Sequence, residues 1–223
     1  MSAVAALTLV IGNKNYSSWS MRPWVLLREL GIPFEEKKLR FGSEEWASGI
    51  GRWSPSGMVP VLWRGREAVW DTLAILETLA EWHPDKGVWP ADPAARAFAR
   101  SMSAEMHAGF RDLRTTMPMN IRASHPGKGM TPATRANIAR IEALWGEARR
   151  RFGAGGPFLF GAFCAADAMY APVVMRFRTY GVGLGAEAAA YCEAMRGARG
   201  VDAWIREALA ETEFVPEDEL YAK

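Results

Sequence analysis

The eleven residues from His83 to Pro93, HPDKGVWPADP, hold three prolines and a glycine, and the hydrophobic pattern changes class across them. Before this stretch, short apolar runs of strand length alternate with stripes at helical spacing; after it, every apolar pattern has the helical period. Such a chain builds two units, a small α/β domain over residues 1–83 and an all-α domain over 93–223, with a linker at 84–92.

The α/β part reads β-α-β, a long connection, then β-β-α. Leu7 to Ile11 is an apolar strand, and from Met21 the residues Trp24, Leu27 and Leu30 form a helical stripe that Gly31 and Pro33 terminate. Glu35 to Leu39 follows after a short link as a second strand, parallel to the first. Phe41 to Ser54 carries Gly42, Gly49 and Gly51 and reads mostly as loop, with room for a short helix only. Pro60 must begin the run Val61 to Trp63 or lie in a turn, because proline cannot donate to a sheet ladder, and a cis bond before it is compatible with that place. Arg64, Gly65 and Arg66 turn the chain into a return strand, Glu67 to Val69. Asp71 then stands at the N-cap position of a helix whose apolar side is Leu73, Leu76, Leu79 and Ala80. The expected result is a four-stranded mixed sheet with helices packed on it.

In the second part, Phe98, Met102, Met106, Gly109 and Leu113 trace one stripe of a long helix that runs to Pro118, and Arg100, Ser103, His107, Arg111 and Arg114 trace another. Thr131 and Pro132 open a helix with Ile138, Ile141, Trp145 and Ala148 inward, closed by the glycines from Gly153. Ala165 to Tyr180 is apolar on most sides and therefore buried, with Pro172 inside it as an expected kink. Asp167 sits as the acidic half of a capping box whose other half is Cys164. Two amphipathic segments follow, Ala186 to Arg196 and Val201 to Ala210, and the closing PEDELYAK reads as a loose tail.

Composition narrows the function classes. A net charge of +2 is far from the basic stripe of a nucleic-acid binder. Cys164 and Cys192 are too few for a disulfide framework and three histidines lack a paired spacing, so no metal site is expected and a reducing, cytoplasmic setting is. The apolar opening residues lack a positive flank and a cleavage site, and no apolar run of membrane-spanning length occurs.

The chemistry-bearing cluster is Tyr16, Ser17, Ser18 and Ser20, placed where the first strand hands over to the first helix. A helix start has unpaired N–H groups and a partial positive charge, and hydroxyls there can hold an anion. One of these serines could equally serve as an ordinary cap. Asp71 and Thr72 offer an acceptor, a hydroxyl and free N–H groups at a second helix start. The Arg100, His107, Arg111 and Arg114 stripe is either a solvated face or, where it meets the cleft, a surface favouring acidic or electron-poor molecules. Trp19, beside the serines, is placed to wall a pocket.

Taken together, the passage YSSWSMRPWVLLRELGIPFE, the segment VPVL around Pro60, the triplet Trp70-Asp71-Thr72 and the AADA box around Asp167 resemble the cytosolic glutathione transferases of the serine type, most nearly the zeta and tau classes. The resemblance rests on four motifs in the right order and spans nearly the whole chain. It implies a thioredoxin-like N-terminal domain that binds glutathione and an all-helical C-terminal domain that forms the acceptor site. Ser17, five positions before Arg22, corresponds to the serine that meets the glutathione sulfur; Ser18 has the spacing of the delta type, and Tyr16 the place of tyrosine-type members. Val59, before Pro60, would pair with the cysteinyl backbone, Met58 stands where many members present a polar side chain, and Asp71 with Thr72 would hold the γ-glutamyl end. Trp19, His107, Arg111 and Arg114 are the acceptor-pocket residues on this reading.

Trp19 replaces the cysteine of the zeta pattern, and Cys164 replaces the hydroxyl of the capping box. With Ser17 and Ser20 where a CxxC pair would lie, dithiol redox chemistry is excluded. The implied activity is conjugation of glutathione to small electrophiles, as in detoxification, by a homodimer that needs no metal. Isomerisation of the maleylacetoacetate type, or a non-catalytic binding role, are the alternatives.

Overall fold

The computed structural model describes residues 6–222; residues 1–5 of the apolar opening and Lys223 lie outside them. β1 (Leu7–Ile11) is the first inner strand of a four-stranded sheet of order β2-β1-β3-β4. β2 (Glu35–Lys38) runs parallel to β1 with Thr8 opposite Glu35. β3 (Val61–Arg64) is antiparallel to β1 with Leu9 opposite Leu62, and β4 (Glu67–Val69) closes the hairpin. The peptide bond between Val59 and Pro60 is cis, so the proline ends the preceding loop and β3 begins after it.

Two layers cover this sheet. On one face α1 (Ser18–Glu29) and α3 (Thr72–Trp82) bury Trp24, Leu27, Leu76 and Leu79. On the other, α2 (Glu44–Trp53) covers Val10, Leu39 and Val61 with Trp46, Ile50 and Trp53. The expected loop is thus largely a ten-residue helix. Its glycines weaken it, but Ser43 caps it by accepting from Trp46 N at 3.0 Å, Glu44 and Glu45 sit in its first turn, and its apolar residues fall on one stripe.

The helical half comprises α4 (Pro93–Ala108), α5 (Arg111–Thr116), α6 (Pro132–Phe152), α7 (Ala165–Thr179), α8 (Ala186–Gly197) and α9 (Arg199–Leu209). The expected single helix through Leu113 is broken between α4 and α5. Phe110 takes a left-handed φ of 54°, while a Cβ on Gly109 would lie 2.7 Å from the Glu105 carbonyl. α7 is buried along almost its whole length, and Asp167 organises its start. The Asp167 carboxylate accepts from Cys164 N at 2.9 Å, Leu159 N at 3.1 Å and the Tyr191 hydroxyl at 3.1 Å.

α1 is wedged between the halves, packed on α7 and α9 as well as on α3. Trp24 meets Trp204 edge-on at 5.2 Å, and Gly200 lets α9 approach so closely that a Cβ there would stand 2.6 Å from the Val25 carbonyl. The closing residues do not form a loose tail. Glu211 accepts from Lys14 N at 2.9 Å, Asn15 N at 3.0 Å and Lys38 Nζ at 3.0 Å; Glu219 accepts from the Tyr16 hydroxyl at 2.6 Å; and the Tyr221 hydroxyl donates to Thr116 O at 2.8 Å. Residues 211–222 strap the turn after β1 to α5.

Candidate functional site

The turn after β1 is closed by the Asn13 carbonyl, which accepts from Tyr16 N at 3.2 Å and Ser17 N at 2.8 Å. It delivers the hydroxyls of Ser17, Ser18 and Ser20 to the positive end of α1, whose first turn carries no acidic residue. Ser17 occupies the N-cap position without capping through its side chain. Its buried hydroxyl instead donates to Ser20 Oγ at 2.7 Å, and that oxygen also accepts from Gly12 N at 3.2 Å. Ser18 is half-buried at the same opening. The Tyr16 phenol is engaged elsewhere, donating to Glu219 and accepting from Arg122 Nη2 at 2.8 Å; burial and Glu219 raise its pKa above the usual tyrosine value.

Across from this turn, the loop before Pro60 is fixed by Ser54, whose hydroxyl donates to Met58 O at 2.6 Å and accepts from Met58 N at 3.1 Å. The Met58 side chain projects outward, 71% exposed. At the start of α3, Asp71 accepts from Leu73 N at 3.3 Å and faces His107 Nε2 at 3.4 Å. Thr72 is buried and donates to Trp19 O at 3.0 Å, which ties the start of α3 to the start of α1.

Two cavities meet at Trp19, Met58 and Val59. One, of about 320 Å³, is bounded by Pro60, Asp71, Thr72 and His107. The other, of about 400 Å³, opens over Tyr16, Ser17 and Ser18 and reaches Arg114, Arg176 and Asp218. Of the residues singled out from sequence, Tyr16, Ser17, Ser18, Trp19, Met58, Val59, Pro60, Asp71, Thr72, His107 and Arg114 line one or both; Ser20 lies buried behind Ser17, Arg100 pairs with Glu77, Arg111 is exposed, and these three line neither.

Sequence reasoning missed Arg176, Asp218 and the partnership of Ser20 with Ser17. An arginine inside an otherwise apolar, buried helix is a legible signal for the first, since arginine is almost never fully buried without a reason; Arg178, two positions on in the same helix, is the exposed one. Nothing local marks Asp218, because its place depends on the strap. Among the described residues no group of three or more His, Cys, Asp or Glu is disposed to hold a metal ion, and no helix is long and apolar enough to cross a membrane.

An anion lying between Ser17 and the cis-Pro60 loop would meet a hydroxyl donor and a helix start, and an amino-acid-like group in the neighbouring cavity would meet Asp71 and the start of α3. A cysteine-containing peptide has both groups.

Several known proteins are similar to this chain. A probable maleylacetoacetate isomerase of Caenorhabditis elegans is 34% identical over 97 residues, 44% of this chain and 45% of that protein, so the match spans under half of the relative's length. A glutathione transferase homologue from Burkholderia gl BGR1, solved with bound glutathione, superposes with a TM-score of 0.68 at 24% identity, covering 91% of this chain and 98% of that one. A tau-class glutathione S-transferase from mango, Mangifera indica, gives 0.68 at 19% identity, covering 92% and 96%. Residues 16–82 match the model of the glutathione S-transferase N-terminal domain and residues 131–207 that of the C-terminal domain, in the order and at the places where the structure has its α/β and helical halves. The chain therefore belongs to the glutathione S-transferase family.

Proposed function

We propose that this protein binds glutathione, ionises its thiol and directs the thiolate at a small electrophile to form a thioether. The observation that carries this reading is the pair of merging cavities: Ser17 at the start of α1 and Asp71 with Thr72 at the start of α3 open on either side of the cis-Pro60 loop. Ser17 donates to the sulfur, the Val59 backbone pairs with the cysteinyl residue, and Asp71 with Thr72 holds the γ-glutamyl end. A hydroxyl donating to the sulfur anion contributes roughly 1.5–3 kcal/mol and a helix start about 0.3–1 kcal/mol. Less the neutral hydrogen bond to Ser20 that Ser17 gives up, together they lower the thiol pKa by roughly one to two units. From an ordinary value of about 8.5 that leaves about half of the thiol ionised near neutrality. The serine stays a hydroxyl throughout.

The same thiolate can add to and leave an unsaturated acid, the isomerase reading that the Caenorhabditis elegans relative supports. We further propose a cytosolic homodimer: the two cysteines are free and buried, as suits a reducing compartment, and Trp70 beside the site is 46% exposed. The test of the whole reading is a thiolate absorbance titration of glutathione with the protein, coupled to conjugation of an electron-poor aryl halide. A thiol pKa equal to that of free glutathione, with no turnover, refutes it.

A further inference from the structure

Two arginines near the serine turn are buried, and neither has a carboxylate within ion-pair distance. Arg22 on α1 is 0% exposed and Arg176 on α7 is 3% exposed. Among the described residues neither forms an ion pair. Arg22 donates from Nε to Met169 O at 2.9 Å and from Nη1 to Ser18 O at 3.0 Å, leaving Nη2 without a partner. Arg176 donates from Nε to Met117 O at 2.8 Å, leaving Nη1 without one. A third cation, Arg114, donates to His107 O at 3.1 Å. The Trp19 indole lies between two of them, its ring 4.3 Å from the Arg22 guanidinium and 5.2 Å from that of Arg114.

This arrangement opposes folding. Each cation loses hydration, and Arg22, Arg114 and Arg176 repel one another; burial first and that repulsion second depress the Arg22 and Arg176 pKa values, the latter to about 10, where it stays charged at neutral pH. Apolar residues of similar volume would pack there at lower cost. Arg114 and Arg176 line the 400 Å³ cavity that opens over Ser17. The chain's own Asp218, brought in by the C-terminal strap, lines the same cavity, and Arg176 draws its pKa down against the upward push of burial. A carboxylate thus already lodges beside these cations.

We propose that the acceptor side of this site recognises a carboxylate: its substrates are small electrophiles bearing an acidic group, which Arg176 and Arg114 hold through charge-assisted hydrogen bonds while Arg22 reinforces the field behind Trp19. The proposal rests on the thiol-transfer reading above and adds the chemical class of the second substrate. Charge-assisted bonds to guanidinium are strong and directional, and in a cavity of this size one anchor fixes the distance from the electrophilic carbon to the sulfur.

The test compares 4-chloro-3-nitrobenzoate with its methyl ester, each with glutathione and the intact protein, every rate divided by the uncatalysed one. The normalised kcat/KM should favour the acid by about tenfold or more. In Arg176→Met the ratio of acid to ester should fall to near one, and in Arg176→Lys, which keeps the charge, part of the preference should return. Arg114→Gln, at a half-buried position, gives the same reading should the α7 variants fail to fold. Calorimetry of glutathione-loaded protein with benzoate and benzamide reports the preference without turnover.

Ester turnover with no preference for acid in either measurement overturns the proposal and leaves thiol transfer standing. A rise in KM for glutathione that is equal with both acceptors also overturns it, since the arginines would then hold a carboxylate of glutathione itself. Absence of thiolate formation and of turnover with either compound is the distinct failure of the thiol-transfer reading, and the proposal falls with it.

Discussion

Replacing Ser17 with alanine tests the activation of the thiol, and the structure sets the size of the effect. The Ser17 proton is already given to Ser20 Oγ at 2.7 Å. Meeting a sulfur anion means exchanging a neutral hydrogen bond, about 0.5–1.5 kcal/mol, for a charge-assisted one of about 1.5–3 kcal/mol. The net gain is about 1–1.5 kcal/mol, so Ser17→Ala should raise the bound thiol pKa by about 0.7–1.1 units. For a parent thiol near 7, activity then falls about four- to tenfold at pH 6.5 and hardly at all at pH 9, where the thiol is ionised in both proteins. Ser20→Ala should act in the opposite direction, because Ser17 then has no competing acceptor. The assay is ultraviolet thiolate absorbance against pH for bound glutathione, run on these variants with Ser18→Ala and Tyr16→Phe. A parental pKa in Ser17→Ala together with a shift in Ser18→Ala refutes the assignment of Ser17; no shift in any of the four refutes hydroxyl activation and leaves the backbone of α1.

Asp71→Ala should weaken glutathione binding about tenfold or more, read by calorimetry, without moving the thiol pKa, and should cost about 0.5–2 kcal/mol of stability through loss of the α3 cap. Asp167 is raised by burial to about 6, against the pull of its hydrogen bonds from Leu159, Cys164 and Tyr191. A carboxyl raised in the folded state stabilises most when protonated, so its contribution is present below about pH 4 and lost as pH rises through about 6, on the order of 3 kcal/mol. Urea unfolding at pH 4 and pH 7 should show a larger difference in the parent than in Asp167→Asn, where Asp218, also raised by burial to about 6, still contributes. Gly200→Ala, in a helix where alanine normally adds stability, should instead cost about 1–3 kcal/mol, because its Cβ would meet the Val25 carbonyl. An unchanged or higher melting temperature in that variant contradicts the close packing of α1 on α9.

Most of the site was legible because its parts are local. Strand-to-helix turns, a proline ahead of β3 and an aspartate at a helix start each carry a short-range signature, and each lands at the wall of one of the two cavities. The failures have physical causes. Around α2, Gly42 before the helix and Gly49 and Gly51 inside it drew attention from Ser43, Glu44 and the Trp46, Ile50, Trp53 stripe, although a cap and tertiary burial outweigh helix propensity. The break at Phe110 preserves the apolar stripe, since Met106 before it and Leu113 after it are both buried, and periodicity alone does not register a change of direction. The strap was missed because PEDELYAK is polar and lacks periodicity, and its order comes from partners about two hundred positions away in the chain.

That strap also orders events in time. Glu211 holds the N–H groups of Lys14 and Asn15 across separations of 197 and 196 residues. At about 5–20 residues per second, a ribosome that has made the turn after β1 takes roughly 10–40 s to supply the carboxylate that secures it. The α/β half is long since synthesised by then, yet the turn that carries its serines is still missing its anchor. Nascent chains halted before residue 211 should therefore display the first half without a settled Ser17, and the ability to ionise a bound thiol should emerge only as the final stretch leaves the exit tunnel.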